Sequence, residues 1–212
     1  MLARCGRDLP PEKMALHQAR CTACGGHPPQ AIGTEHPVDY FSEQEGWDIV
    51  LAAPIGHWRL IFWVFHETGF RLGEVLALRQ KDILPSCELG VWTAKQKKPV
   101  YESVPISDDL RDELLRYAIK NKRARLFPVS KSAVDHRLKR LALKIGIFRP
   151  VHSHMFRHGL AKRFGHIPGM TASEAMTNAN RILRHRSLRT TELYFRTTDA
   201  EAKAAHRKLL EG

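Results

Sequence analysis

The stretch Leu183-Arg184-His185-Arg186-Ser187-Leu188-Arg189-Thr190-Thr191-Glu192-Leu193-Tyr194 decides how the rest of the chain is read. It holds a histidine, a later tyrosine, and Arg184, Arg186 and Arg189 around them. Upstream, three further patterns occur in order: Thr68-Gly69-Phe70-Arg71-Leu72-Gly73-Glu74, then Lys95-Gln96-Lys97-Lys98-Pro99, then His154-Met155-Phe156-Arg157-His158. Any one of them alone is ordinary, since a buried arginine or a helix-surface histidine would explain it. Their order, ending in a tyrosine within a basic segment, carries the information.

Charge is distributed unevenly. Residues 1–110 hold 11 Lys and Arg against 14 Asp and Glu, whereas residues 111–212 hold 23 against 8, a net +15 in a chain whose total is +12. Such a field draws polyanions and releases counterions from a phosphate backbone, so double-stranded DNA is the expected partner. A solvated basic surface would explain the charge without a partner. No apolar run approaches the roughly 18 residues needed to cross a bilayer, and the N-terminus lacks a charged-then-apolar secretory pattern, so a soluble, cytoplasmic, nucleoid-associated protein is expected.

A length of 212 residues accommodates one main domain and a small appendage. Residues 1–40 are rich in Pro, Gly, Cys and His, with one helical stretch from Pro11 to Ala19. Within them Cys21-Thr22-Ala23-Cys24-Gly25-Gly26 has the spacing of a zinc knuckle, and Cys5 and His17 could complete four structural ligands, with His27 competing for the place of His17. Reduced thiols in a flexible tail are the alternative, and Cys87, far from the others, is read as a packing residue.

The main domain is placed at residues 41–197. Ser42 and Glu45 form a capping box for a helix that stops at Pro54. The stripe Leu60, Ile61, Val64 and Phe65, with Trp58 and Trp63, marks a core helix from His57 to Thr68, and Gly69 stands where a left-handed residue would end it. A short helix follows over Leu72–Leu78. Strands over 90–94 and 100–104 flank the lysine turn, and helices are expected near 108–120, 131–145, 153–165 and 172–184. A last helix near 199–210, in the segment 198–212, can dock on its own core or on a neighbouring protomer. The fold class is therefore mainly α with a small antiparallel β-sheet.

Together the patterns resemble the catalytic domain of the tyrosine recombinases, or phage integrases, over about residues 42–196, and the box from Leu183 to Tyr194 matches in its spacing as well. The resemblance implies site-specific breakage and rejoining of duplex DNA through a 3′-phosphotyrosyl intermediate on Tyr194, without a nucleotide, metal or other cofactor for the chemistry, by a tetramer assembled on DNA. It implies that His185 hydrogen-bonds the scissile phosphate and that Lys95 fits the general acid's place, with Lys97 and Lys98 close by. Residue chemistry agrees. Attack on a phosphodiester builds charge on its non-bridging oxygens, and Arg71 and Arg157 offer permanently charged, forked donors for them. A tyrosine hydroxyl with an ordinary pKa of about 10 needs a base, and His154 is the candidate. His158 sits next to Arg157 and His154 lies one helical turn before it on nearly the same face, so three phosphate-directed donors are expected from one helix. Glu74, one turn beyond Arg71, would orient that arginine or a neighbouring amide.

Three departures stand out. Arg184 occupies the place where the family has glycine, Arg196 the place where it often has histidine, and the helical clamp domain that usually precedes the catalytic domain is not matched by residues 1–40. A topoisomerase that uses the same chemistry on one strand, or a DNA-binding regulator that keeps the fold without turnover, are the alternative readings. If the knuckle forms, metal analysis of the purified chain returns about one zinc per molecule and Cys21→Ser with Cys24→Ser removes it; freely titrating thiols and no zinc in the unmutated chain contradict the site.

Overall fold

The computed structural model describes residues 39–93, 100–184, 191, 192 and 195. The first helix, α1 (Glu43–Ala52), begins where the chain offers its own acceptors. The Glu45 amide donates to Ser42 Oγ at 3.1 Å, and the Ser42 amide donates to the Glu45 carboxylate at 2.9 Å. Helix α2 (His57–Thr68) is apolar around most of its circumference, burying Leu60, Ile61, Phe62, Val64 and Phe65, so it becomes the central helix. It ends at Gly69, which adopts φ 59° and ψ 24° and donates its N–H to the Phe65 carbonyl at 3.0 Å. That left-handed conformation is where glycine is least strained. Arg71 then opens the short helix α3 (Leu72–Ala77).

A three-stranded antiparallel sheet follows, ordered β1 (Ile83–Leu84), β2 (Glu88–Thr93), β3 (Val100–Pro105). Leu89 pairs with Ile83 on one side and Val104 on the other, and Thr93 pairs with Val100. The sequence expects two strands here; β1 is too short to show an alternating pattern of its own. Cys87 sits in the β1–β2 turn with φ 56° and is half-buried, its sulfur 2.8 Å from both Asp108 Oδ1 and Arg111 Nη1. It is a polar turn residue, and the reading of Cys87 as packing is corrected.

Four more helices complete the described fold: α4 (Asp108–Asn121), α5 (Lys131–Lys144), α6 (His154–Phe164) and α7 (Ala172–Leu183). Ser107, Ser130 and Thr171 cap α4, α5 and α7 by accepting a main-chain N–H in the first turn. Helix α2 packs against α1, α4 and α6, and α7 lies on α6. The main core runs from Phe41 to Phe156, and a small second cluster joins Ala161 and Leu183 to Leu160 and Phe195. Gly159 in α6 is a close-approach point. A Cβ there would collide with the Phe41 carbonyl oxygen, so glycine lets the chain entering α1 lie directly on α6. Among the described residues no helix is long and apolar enough to cross a membrane.

A buried histidine ties α2 to α6. His66 is 3 % exposed, its ring lies 4.7 Å from that of Trp47, and its Nε2 accepts from Arg163 Nη1 at 3.1 Å. Burial, reinforced by the Arg163 charge, pushes its pKa down to about 3 from the ordinary 6.5. The native state therefore favours neutral imidazole, and the unfolded chain takes up the proton first as pH falls. This contribution to stability is complete above pH 6.5 and is lost progressively toward pH 3. Thermal unfolding at pH 7.5 and pH 5 should show a drop at the lower pH that shrinks in His66→Gln, which keeps an acceptor without a titrating ring; equal drops in both proteins contradict the assignment.

Candidate active site

Arg157, in the middle of α6, is 2 % exposed. Its Nη1 donates to the Gly69 carbonyl at 2.9 Å, and its Nη2 donates to the Leu183 carbonyl. Gly69 is the C-cap of α2 and Leu183 is the last residue of α7. Helix C-termini leave carbonyls unpaired and carry partial negative charge, so two helix ends converge on one cation. Leu183 also reaches Gly69 directly: a Cβ on Gly69 would stand 2.8 Å from Leu183 Cδ2. Sequence spacing places Arg157 beside His154 and His158; the structure adds that its described donors meet main-chain oxygens.

Arg71 emerges two residues after Gly69. Glu74 receives the Arg71 N–H on Oε2 at 2.8 Å and the Arg71 Nη1 on Oε1 at 2.8 Å, so the same carboxylate orients both the arginine and an amide, as expected. Glu74 Oε2 also accepts from Arg184 Nη2 at 2.8 Å. Arg184 was legible only as a departure from the family pattern, with no role attached. In the structure it is 3 % exposed, stacks at 4.7 Å on the Phe70 ring, and lies with Nε 3.7 Å from Glu102 Oε2 on β3. Burial lowers its pKa from the ordinary value, Glu74 and Glu102 oppose that, and Arg71 adds to it. These contacts close a ring: Arg157 to Leu183, then Arg184 to Glu74 to Arg71, and back through Gly69.

His154 is the first residue of α6 and is exposed, its ring centroid 6.2 Å from that of His158 and 6.4 Å from that of His152. His158 has its Nδ1 2.8 Å from the Asp39 carbonyl. A carbonyl only accepts, so Nδ1 carries the proton and the neutral ring keeps its lone pair on Nε2. Burial holds the His158 pKa below the ordinary histidine value; the Asp39 bond opposes this, and His154, His152 and Arg157 add to it. His152 and the Asp39 carbonyl were not anticipated, because neither lies in a motif.

Lys95, His185 and Tyr194 lie outside the described residues, as do Cys5, His17, Cys21 and Cys24. Residues on either side of Tyr194 are described. Thr191 is buried and its hydroxyl donates to Asn180 Oδ1 on α7 at 2.9 Å, and Phe195 packs on the cluster of Leu160, Ala161 and Leu183. Among the described residues no group of three His, Cys, Asp or Glu side chains is arranged to hold a metal.

Residues 53–201 match the phage integrase family. Over 153 residues the chain is 31% identical to the tyrosine recombinase XerC of Xanthomonas axonopodis pv. citri (strain 306), covering 67% of this chain and 48% of that protein. The chain thus spans about half the length of the curated relatives it matches. Among solved structures, XerA recombinase superposes with a TM-score of 0.66 at 22% identity, over 88% of this chain and 70% of that one. The catalytic domain of bacteriophage HP1 integrase superposes with a TM-score of 0.58 at 24% identity, over 80% and 94%. Both likenesses are of fold: helices around a small antiparallel sheet. With the family matched across more than half of its residues and the fold shared, the chain belongs to the phage integrase family.

Proposed function

We propose that the chain is a site-specific recombinase that cleaves and rejoins duplex DNA, with Tyr194 as nucleophile and Arg71, Lys95, His154, Arg157 and His185 as the groups that serve it. The observation that supports this most is the double donation of Arg157 to the carbonyls of Gly69 and Leu183. Those carbonyls stand two residues before Arg71 and two before His185, so one guanidinium gathers three segments distant in sequence. The anchoring of Thr191 and Phe195 on α6 and α7 supports a tyrosine delivered to the same place.

In this reading Arg71, Arg157 and His185 stabilise charge on the non-bridging oxygens of the scissile phosphate. The Tyr194 oxygen attacks phosphorus while His154 takes the phenol proton, and the bond to the 5′-oxygen breaks as Lys95 protonates it. The products are a 3′-phosphotyrosyl linkage and a free 5′-hydroxyl. Rejoining runs the same steps in reverse, the phosphotyrosyl bond retaining the energy. The net +15 of residues 111–212 would hold the duplex backbone, with a tetramer as the working assembly and any zinc on Cys5, His17, Cys21 and Cys24 serving structure alone. Of the other tyrosines, Tyr101 has its hydroxyl 3.4 Å from the Asp82 carboxylate, and partial burial, then that carboxylate, raises its pKa.

A duplex nicked beside the cleavage site traps the intermediate. The chain should give a covalent protein–DNA adduct that vanishes in Tyr194→Phe and survives in Tyr101→Phe. Arg71→Ala should slow its formation on the order of 10²–10³-fold, the scale for removing one donor that stabilises developing charge. An adduct that persists in Tyr194→Phe, or none from the unmutated chain at any protein and DNA concentration, overturns the proposal.

A further inference from the structure

Arg184 breaks two local rules at once. It is a non-glycine residue in the left-handed region, at φ 54° and ψ 46°, and it is a cation with a 3 % exposed side chain. Each is unfavourable alone; the Glu74 bond and the Phe70 ring offset them, while Arg184 Nε and Glu102 Oε2, both buried, pair as ions at 3.7 Å without a hydrogen bond. Phe70 and Glu74 belong to the segment that carries Arg71. Glu102 lies on β3. Arg184 itself is the residue that leads into His185. A glycine here would relieve the backbone and make none of these contacts.

The charges explain what the contacts do. Glu74 faces Arg71 at 2.8 Å and Arg184 at 2.8 Å, while Glu102 faces Arg184 at 3.7 Å. Two carboxylates are thus balanced by two guanidiniums. Without Arg184, Glu74 would be the counterion of Arg71 alone and Glu102 would be left uncompensated nearby. Both changes make the pocket less favourable for a phosphate that is gaining charge. We propose that Arg184 is a positioning residue of the cleavage site: it shares Glu74 so that the Arg71 charge stays directed at phosphate, and it ties β3 to the C-terminal end of α7. The proposal rests on the recombinase reading for its effect on cleavage; the tether stands on the contacts themselves.

Single-turnover adduct formation on the nicked duplex tests it, with Kd for the same duplex and the thermal midpoint measured alongside. Arg184→Gly should slow adduct formation by about 10- to 100-fold, the scale for losing a partner that orients a reacting group. Its Kd should stay within about threefold, because this buried ion pair adds no phosphate contact. Adding Glu102→Gln to Arg184→Gly should recover part of the rate, which a purely structural role for Arg184 would not allow. An unmutated cleavage rate in Arg184→Gly, or no recovery in the double variant, overturns the proposal. If Arg184→Gly does not fold, Arg184→Lys carries the test: an intermediate rate supports it and an unmutated rate overturns it. If the unmutated chain forms no adduct, the recombinase reading falls, and amide exchange decides the tether alone. Faster exchange across Val100–Pro105 in Arg184→Gly supports the tether, and unchanged exchange overturns it.

Discussion

A guanidinium held between two helix ends organises the candidate site. The carbonyls of Gly69 and Leu183 sit at the C-termini of α2 and α7, where backbone acceptors have no partner within their own helix. Buried and unmet, each would cost about 1–3 kcal/mol. Arg157 meets both with one planar group whose charge is drawn to the negative ends of the two helix dipoles. A lysine at that position would bring a point charge and could not match the fork. Because Arg71 follows Gly69 and the box with His185 and Tyr194 follows Leu183, this one interaction fixes where both segments begin.

The protein gives each of several other arginines a different counterpart. Arg184 has two carboxylates and an aromatic face. Arg163 has the carbonyl and ring nitrogen of His66. Arg149 makes a bidentate pair with Glu45 and reaches the Tyr40 carbonyl, fastening the chain ahead of α1. Cations held by carbonyls and shared carboxylates stay rigid without being fully neutralised. Under the proposed recombinase reading, that suits a pocket that meets additional negative charge, because oriented charges need little reorganisation when a reaction develops its own.

Much of the fold could be read from the residues. The capping box at Ser42 and Glu45, the core stripe of α2 and the left-handed Gly69 follow from short-range chemistry, and each is found where the sequence places it. Strand β1 was not legible, because two residues have no period to detect. Cys87 was misread because its partners, Asp108 and Arg111, come from another element. At the site, Arg71, Arg157 and the orienting role of Glu74 were legible as motif members, whereas the inward aim of Arg157 and the Asp39 carbonyl on His158 arise only on folding. Arg184 shows the boundary well: its oddness was visible in sequence, but its partner Glu102 is a residue in no motif.

If the site is organised by Arg157, denaturant unfolding of Arg157→Lys against the unmutated chain tests that most directly. The account predicts a loss of about 1.5–3 kcal/mol or more, the scale of one charged hydrogen bond removed from a buried pair of acceptors, with the m-value unchanged. An unfolding midpoint equal to that of the unmutated chain would contradict it, because the two helix ends would then be held together by something other than this guanidinium.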